Sequence, residues 1–217
     1  MKIVIVGAGE NGHQAFHCLR HDKSVEMVGF IDDNPANRGG TKLGLPIIGT
    51  TAELPALIKK YGLGGGIAAI GKNKGRAALN EKIRAAGLKV VKAIHPQVMI
   101  ESPESIGDGV VLEMGAAVHA GAVIGEGVFM GSASMAAHHC VIGDYTTVSG
   151  GVNTGGGVTV GRFTLLGVGC SIRDHFTIGS NVIVGVGAAV VKDVPDNVVV
   201  AGVPAKILRE LDPNSST

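Results

Sequence analysis

From Ile94 to Pro195 an apolar side chain returns at every sixth position but one, Thr154: Ile94, Ile100, Ile106, Leu112, Val118, Ile124, Met130, Ala136 and so on to Val190. Laid out in sixes the stretch makes seventeen hexads, and fifteen of the seventeen leading residues are large aliphatics or Met. The second position is often glycine (Gly107, Gly125, Gly131, Gly143, Gly155, Gly161, Gly167, Gly179, Gly185), and the fifth is mostly small or β-branched, from Val98 to Val194. A period of six fits neither the α-helix nor the heptad. It is the period of a parallel β-helix, in which each repeat is a short strand and a corner. The leading aliphatics then line the interior, the small fifth-position residues lie beside them, and glycine suits corners that need unusual backbone angles. Three hexads make one triangular coil, so the stretch predicts a prism of between five and six coils stacked at about 4.8 Å.

Before Ile94 the pattern changes. Lys2–Val6 reads as a strand ending in Gly7-Ala8-Gly9-Glu10-Asn11-Gly12, with a helix from about Gln14 to Arg20. Val25–Ile31 is a second strand ending in Asp32-Asp33-Asn34. A strand at Pro46–Gly49, a helix at Thr51–Tyr61, a strand at Gly66–Ile70, a helix at Arg76–Ala86 and a strand at Lys89–Ala93 follow. Strands alternating with helices predict a parallel sheet covered by helices. The chain therefore divides into a Rossmann-like α/β domain at 1–93, an all-β helix of hexads at 94–206, and a tail at 207–217.

Composition supports the thin prism. Glycine reaches 35 of 217 residues and aromatics only 3%, because a triangular core has little room for rings. A net charge of +1 without basic runs gives no general attraction for nucleic acid or acidic membranes. Three cysteines without a CxxC argue against a disulfide framework or zinc ribbon. Cys140 and Cys170 fall in the small fifth position and are expected inside. The apolar run at the N-terminus is too short for a signal peptide, and no stretch of about 18 apolar residues exists to span a membrane. The expectation is a cytoplasmic protein.

Candidate chemistry lies where polar residues meet these frames. G-x-G-x-x-G between a strand and a helix lets backbone approach a phosphate at the helix N-terminus. With Asp32–Asn34 and Gly71–Asn73 it marks the carboxyl edge of the sheet, where such folds bind ligands. A half-size fold without hydride-transfer residues favours a nucleotide-linked small molecule over NAD. In the prism, MGSASMAAHHCVIG (Met130–Gly143) puts His138 and His139 at one corner, and imidazole is the usual general base near neutral pH. His119, Asp144, Asp174 and His175 are scattered more widely. His175, two coils from His139, raises a zinc reading, but no further ligand column accompanies it, and no metal is expected.

The unbroken hexads, the corner His138 followed by CVIG, the terminal AGVPAK, and the N-terminal VGAGENG, FIDDN and IGKN segments together resemble the sialic acid O-acetyltransferase/nucleotide-sugar N-acetyltransferase family of hexapeptide-repeat acyltransferases. The resemblance spans Met1 to about Leu208. It implies a left-handed β-helix, a homotrimer with active sites between neighbouring prisms, and acetyl transfer from acetyl-CoA to the amine of a nucleotide-linked 4-amino-4-deoxy sugar. By the same resemblance His138 is the general base. Gly9, Glu10 and Asn11 lie near the nucleotide phosphates, Asp32 and Asp33 contact the nucleoside, and Gly71 belongs to a third substrate loop. Gly156, Val168 and Val186 line the acetyl-CoA groove, and Lys206 approaches the CoA phosphates. Two residues depart from the family: His139 stands where it usually has Glu or Asp beside the base, and Thr147 where it often has a histidine near the thioester. O-acetylation of a sugar hydroxyl is the near alternative. A zinc enzyme of carbonic anhydrase type and a non-catalytic nucleotide-binding protein are alternatives of other classes.

Overall fold

The computed structural model describes residues 1–213, so the last four residues of the stretch read as a tail lie outside the described residues. The N-terminal part carries β1 (Lys2–Val6), α1 (Glu10–Leu19), β2 (Glu26–Ile31), β3 (Thr41–Lys42), β4 (Leu45–Gly49), α2 (Leu54–Tyr61), β5 (Gly65–Ala68), α3 (Asn73–Ala85) and β6 (Lys89–Val90). They form one six-stranded sheet in the order β3-β4-β2-β1-β5-β6, parallel except for β3, which returns antiparallel on β4. β3 falls between Asn34 and Pro46, where the pattern predicts no strand; Leu43 and Gly44, both at positive φ, close it as a tight turn onto β4.

α1 begins at Glu10 and not near Gln14, so Glu10, Asn11 and Gly12 form its first turn. Two glycines of the turn are sterically required. Gly7 sits at φ +115, and a Cβ on Gly12 would stand 2.0 Å from the Gly7 carbonyl oxygen. Gly9 has no such neighbour and stands open.

The hexads form the left-handed parallel β-helix. Each two-residue strand of the prism ends on a leading hexad residue, and strands eighteen residues apart pair in register: Ile94 opposite Leu112, Leu112 opposite Met130, Met130 opposite Val148. Three stacks of strands make three faces, and their leading and fifth-position residues fuse into one core running from Ile106 to Ala205. Cys140 and Cys170 are wholly inside it.

Two details differ from the sequence reading. The seventeenth hexad is short. Val184 pairs with Val200 and Ile178 with Val194, each sixteen residues apart, so Val194 takes a leading position and not the fifth position the strict period assigns it. A parallel strand, Val198–Ala201, and an antiparallel one, Lys206–Glu210, then close the prism, so the stretch read as a tail begins within a strand.

Second, the left-handed backbone conformation belongs to the fourth position of the hexad, and the second-position glycines have ordinary angles. Positive φ recurs at Gly109, Gly115, Gly121 and Gly127 and also at Ala133, His139, Tyr145, Phe163 and His175. The second position needs glycine because coils pass too closely there: a Cβ on Gly161 would stand 2.5 Å from the Ser180 backbone nitrogen. Backbone on both sides cannot yield cheaply. Gly161→Ala is expected to cost about 1–3 kcal/mol, read as a lower midpoint in chemical denaturation.

The α/β part covers one face of the prism. The outward residues Ala93, Val111 and Phe129 of that face join Cys18, Leu19 and Phe30 in a shared core. The Cys18 thiol donates to the Leu112 carbonyl at 3.3 Å. Outward residues on another face, Val123 and Val141, stay exposed.

The covered face is also fastened by α3. Arg76, buried to 1% exposure, donates from Nε to Gly127 O (3.2 Å), from one terminal nitrogen to Ile70 O and Gly71 O (3.2 and 3.1 Å), and from the other to Tyr145 O (3.0 Å) and Thr147 Oγ1 (3.1 Å). No carboxylate is among these partners, and burial lowers its pKa to about 10. Thr147 Oγ1 donates in turn to Asn73 Oδ1 at 2.8 Å, and Asn73 Nδ2 donates to Thr164 O at 3.3 Å. Arg84 pairs with Glu126 at 2.5 Å, and Glu126 also accepts the Tyr145 hydroxyl.

Candidate active site

Three loops converge at the carboxyl edge of the sheet. Asp32 holds the glycine turn closed: one carboxylate oxygen accepts from Ala8 N–H at 2.7 Å, the other from Asn34 N–H at 2.8 Å. Asp33 accepts from the backbone and hydroxyl of Thr51 at 2.7 and 2.8 Å. Gly71 faces Asn11, whose Oδ1 would be 3.5 Å from an added Cβ. Between β1, β2 and α3 opens a cleft of about 370 Å³ walled by Gly7, Ile31, Ile70 and Leu79, with Asp32, Asp33, Asn34 and Thr51 at its polar side. Apolar walls with a few fixed polar groups suit a base and ribose. The first turn of α1, with no side-chain cap at Gly9, leaves N–H groups for an anion. Glu10 is turned outward toward Lys42 (3.7 Å) and His13 (3.9 Å).

Two coil corners carry the remaining candidates. His138 and His139 stand exposed at the corner after the strand Met135–Ala136. His139 takes the left-handed conformation of the fourth position, φ 58, and its ring lies over Gly121 of the coil below. The His138 ring leans the other way, over Gly156 of the coil above. A Cβ there would stand 2.3 Å from its Cε1 and 2.4 Å from its Nε2, so only glycine lets the ring lie on the backbone. Gly156 O accepts from His175 N–H, and Gly157 N–H donates to His138 O, both at 2.9 Å. The Gly156 N–H itself has no partner among the described residues. His138 Nδ1 and His139 Nδ1 are 3.1 Å apart.

Val168 and Val186 lie on a different corner, 56% and 77% exposed. The turn at Gly202–Ala205 caps that same edge by bonding Gly202 O and Ala205 N–H to Ala189, and exposed Lys206 follows it. Thr147 is apart from both edges. Its hydroxyl is held by Arg76 and Asn73 on the covered face.

Neither Cys18 nor Cys170 offers a nucleophile, because burial pushes both thiols up to about 12. Cys140 is fully buried with Sγ 3.1 Å from Gly155 O. His119 is 3.6 Å from Glu101, and His175 is 4.0 Å from Asp174. No group of three or more His, Cys, Asp or Glu able to hold a metal ion converges among the described residues. No described helix is long and apolar enough to cross a membrane.

A cleft at the edge of a Rossmann-like sheet, joined to a hexad prism with an exposed corner histidine, matches the layout expected from the sequence resemblance. The comparisons with known proteins agree. A family model for the PglD N-terminal domain matches residues 2–83. The structure of PerB from Caulobacter crescentus in complex with CoA and GDP-perosamine superimposes with a TM-score of 0.88 at 35% identity, covering 95% of this chain and 97% of that one. The acetyltransferase domain of PglB from Neisseria gonorrhoeae, in complex with acetyl coenzyme A, gives 0.87 at 33% identity over 95% and 98%. A GDP-perosamine N-acetyltransferase of Escherichia coli O157:H7 is 29% identical over 150 residues, spanning 66% of this chain and 65% of that protein. The chain belongs to the nucleotide-sugar N-acetyltransferase family of hexapeptide-repeat enzymes, the group that holds the perosamine and bacillosamine N-acetyltransferases.

Proposed function

We propose that this chain transfers the acetyl group of acetyl-CoA to the amine of a nucleotide-linked 4-amino-4-deoxy sugar, with His138 as general base. The observation that carries this reading is the exposed His138 ring seated on Gly156 of the next coil, whose backbone N–H has no partner among the described residues. His138 Nε2 takes a proton from the amine as its nitrogen bonds to the thioester carbon. The oxygen that gains negative charge is met by a backbone N–H, for which Gly156 is the candidate. Collapse of the tetrahedral intermediate breaks the C–S bond, and the departing thiolate recovers the proton, leaving an amide and free CoA. Holding both reactants in place supplies much of the acceleration, and no acyl-cysteine is needed.

The nucleotide occupies the cleft beside Asp32 and Asp33, with its phosphates at Gly9–Asn11 and Gly71 on the rim. Acetyl-CoA runs along the edge of Val168 and Val186, with Lys206 near its phosphates. These pieces need more than one chain. The base lies on the only prism edge that does not border the face covered by the α/β domain, and Val168 and Val186 lie on another edge. A homotrimer in which one prism's base edge meets its neighbour's donor edge and nucleotide cleft brings all of them together. Such packing would also cover the exposed Met114, Val168 and Val186. Both reactants suit a cytoplasmic enzyme.

The test is thiol release from acetyl-CoA against GDP-, UDP- and dTDP-linked 4-aminosugars, with sialic acid as a hydroxyl acceptor. Turnover is expected with at least one aminosugar and not with the hydroxyl acceptor; the reverse pattern, or none, overturns the reading.

A further inference from the structure

The residue after His138 is a second histidine, His139, whose ring meets it. Resting on the reading of His138 as base, we infer that His139 itself is the positioning residue: a neutral acceptor for His138 Nδ1–H that leaves His138 Nε2 bare and turned toward the substrate. The contact joins Nδ1 to Nδ1 at 3.1 Å, with the two rings crossing at 81°. Two protonation patterns satisfy it. If His139 donates, the His138 proton sits on Nε2, and the atom over Gly156 cannot accept one. If His138 donates, the proton sits on Nδ1, and Nε2 carries the lone pair where the amine must arrive. Only the second pattern leaves a base.

Backbone geometry fixes the acceptor in place. A β-region residue at position 139 would send its side chain elsewhere; the left-handed angle of the fourth position, φ 58, turns the ring back beside its predecessor. Gly121, the fourth-position residue one coil below, is the seat for that ring, since an added Cβ would stand 2.8 Å from His139 Cδ2. The pair is thus held between two glycines, Gly121 under His139 and Gly156 over His138.

The neighbouring charges are engaged elsewhere. Below on this edge Glu101 accepts from Ala120 N–H at 2.6 Å and lies 3.6 Å from His119. Above, Asp174 lies 3.6 Å from Arg173 and 4.0 Å from His175. Among the described residues no carboxylate is hydrogen-bonded to either histidine of the pair. A neutral acceptor orients the base but adds no negative charge to steady the imidazolium that forms during transfer.

The variants follow from the backbone. His139→Gly keeps the left-handed conformation and removes the acceptor, His139→Asn keeps the conformation and offers a neutral acceptor, and His139→Glu offers a charged one. His139→Gly is expected to lose roughly tenfold or more in kcat with both KM values within about twofold. His139→Asn should recover most of that loss with the wild-type pH profile. His139→Glu should move the acid limb of kcat/KM upward by about one pH unit or more, because a carboxylate favours the charged imidazole. Nitrogen-15 spectra of the substrate-free protein give a readout independent of turnover. His138 should be the Nδ1–H tautomer in the wild type and lose that preference in His139→Gly. Wild-type kcat in His139→Gly, an unmoved acid limb in His139→Glu, or an Nε2–H tautomer for wild-type His138 would each overturn the assignment. If the wild type acetylates no acceptor at all, the functional reading fails instead, and the tautomer alone decides this one.

Discussion

His138→Ala is expected to lower kcat for aminosugar acetylation by about 10²–10⁴-fold, with KM for acetyl-CoA and for the nucleotide sugar little changed. The loss should be catalytic and not structural. The side chain is exposed at a corner, outside the prism core of leading and fifth-position residues, and its ring rests on Gly156 without anchoring it. Thermal stability should therefore match the wild type. The acid limb of the wild-type pH–rate profile should vanish, because the group whose protonation blocks transfer has gone. Gly156→Ala offers the converse test. It leaves the imidazole in the sequence but drives a methyl into its Cε1 and Nε2, so it should lose activity comparably while His138 remains. A His138→Ala enzyme with near wild-type turnover would remove the general-base mechanism altogether.

Arg76→Met is expected to be the most damaging single change to the fold's organisation. The guanidinium gives all its hydrogen bonds to neutral oxygens drawn from both domains: Ile70 and Gly71 on one side, Gly127, Tyr145 and Thr147 on the other. Methionine fills similar volume but removes the donor from five acceptors, of which the carbonyls of Gly127 and Tyr145 are buried, a loss on the order of 3 kcal/mol. Because two of those acceptors are the Ile70 and Gly71 carbonyls, in the loop proposed to rim the nucleotide cleft, KM for the nucleotide sugar should rise more than KM for acetyl-CoA. Calorimetry should show the α/β domain melting at lower temperature than the prism. Arg76→Lys should be only partly restorative, since an ammonium lacks the five-donor fork. A melting profile within a degree of wild type would show that the latch does not matter.

How far these sites are readable from the chain alone depends on whether the signal is periodic or tertiary. The hexads repeat their physics every six residues, so three faces, the core columns and the buried Cys140 and Cys170 follow directly. The period misleads where it ends: nothing local marks the four-residue step from Val190 to Val194. Glycine at the second hexad position is plain in the sequence, but its cause is not, because the clash with the next coil lies eighteen residues away. The strand–turn–helix of Lys2–Leu19 locates the cleft, while the early start of α1 depends on Gly12 packing against Gly7. Arg76 carries no local mark at all, and nothing local shows that Asn73, at the end of the Gly71–Asn73 loop, reaches the prism. Their partners in the prism are 51 to 91 residues distant, and in sequence Arg76 looks like one more charge on a helix. His138 and His139 stand out as a pair, but the left-handed angle that turns one ring toward the other belongs to the coil.

The central claim is that nucleotide aminosugar and acetyl-CoA react directly at the His138 corner. The most direct measurement incubates the protein with both and follows free thiol and the acetylated nucleotide sugar together, by colorimetry and mass spectrometry. One acetylated sugar per thiol released by the wild type, with His138→Asn releasing neither at a comparable rate, is the predicted result. Thiol release without a sugar amide, or undiminished amide formation by His138→Asn, would contradict it.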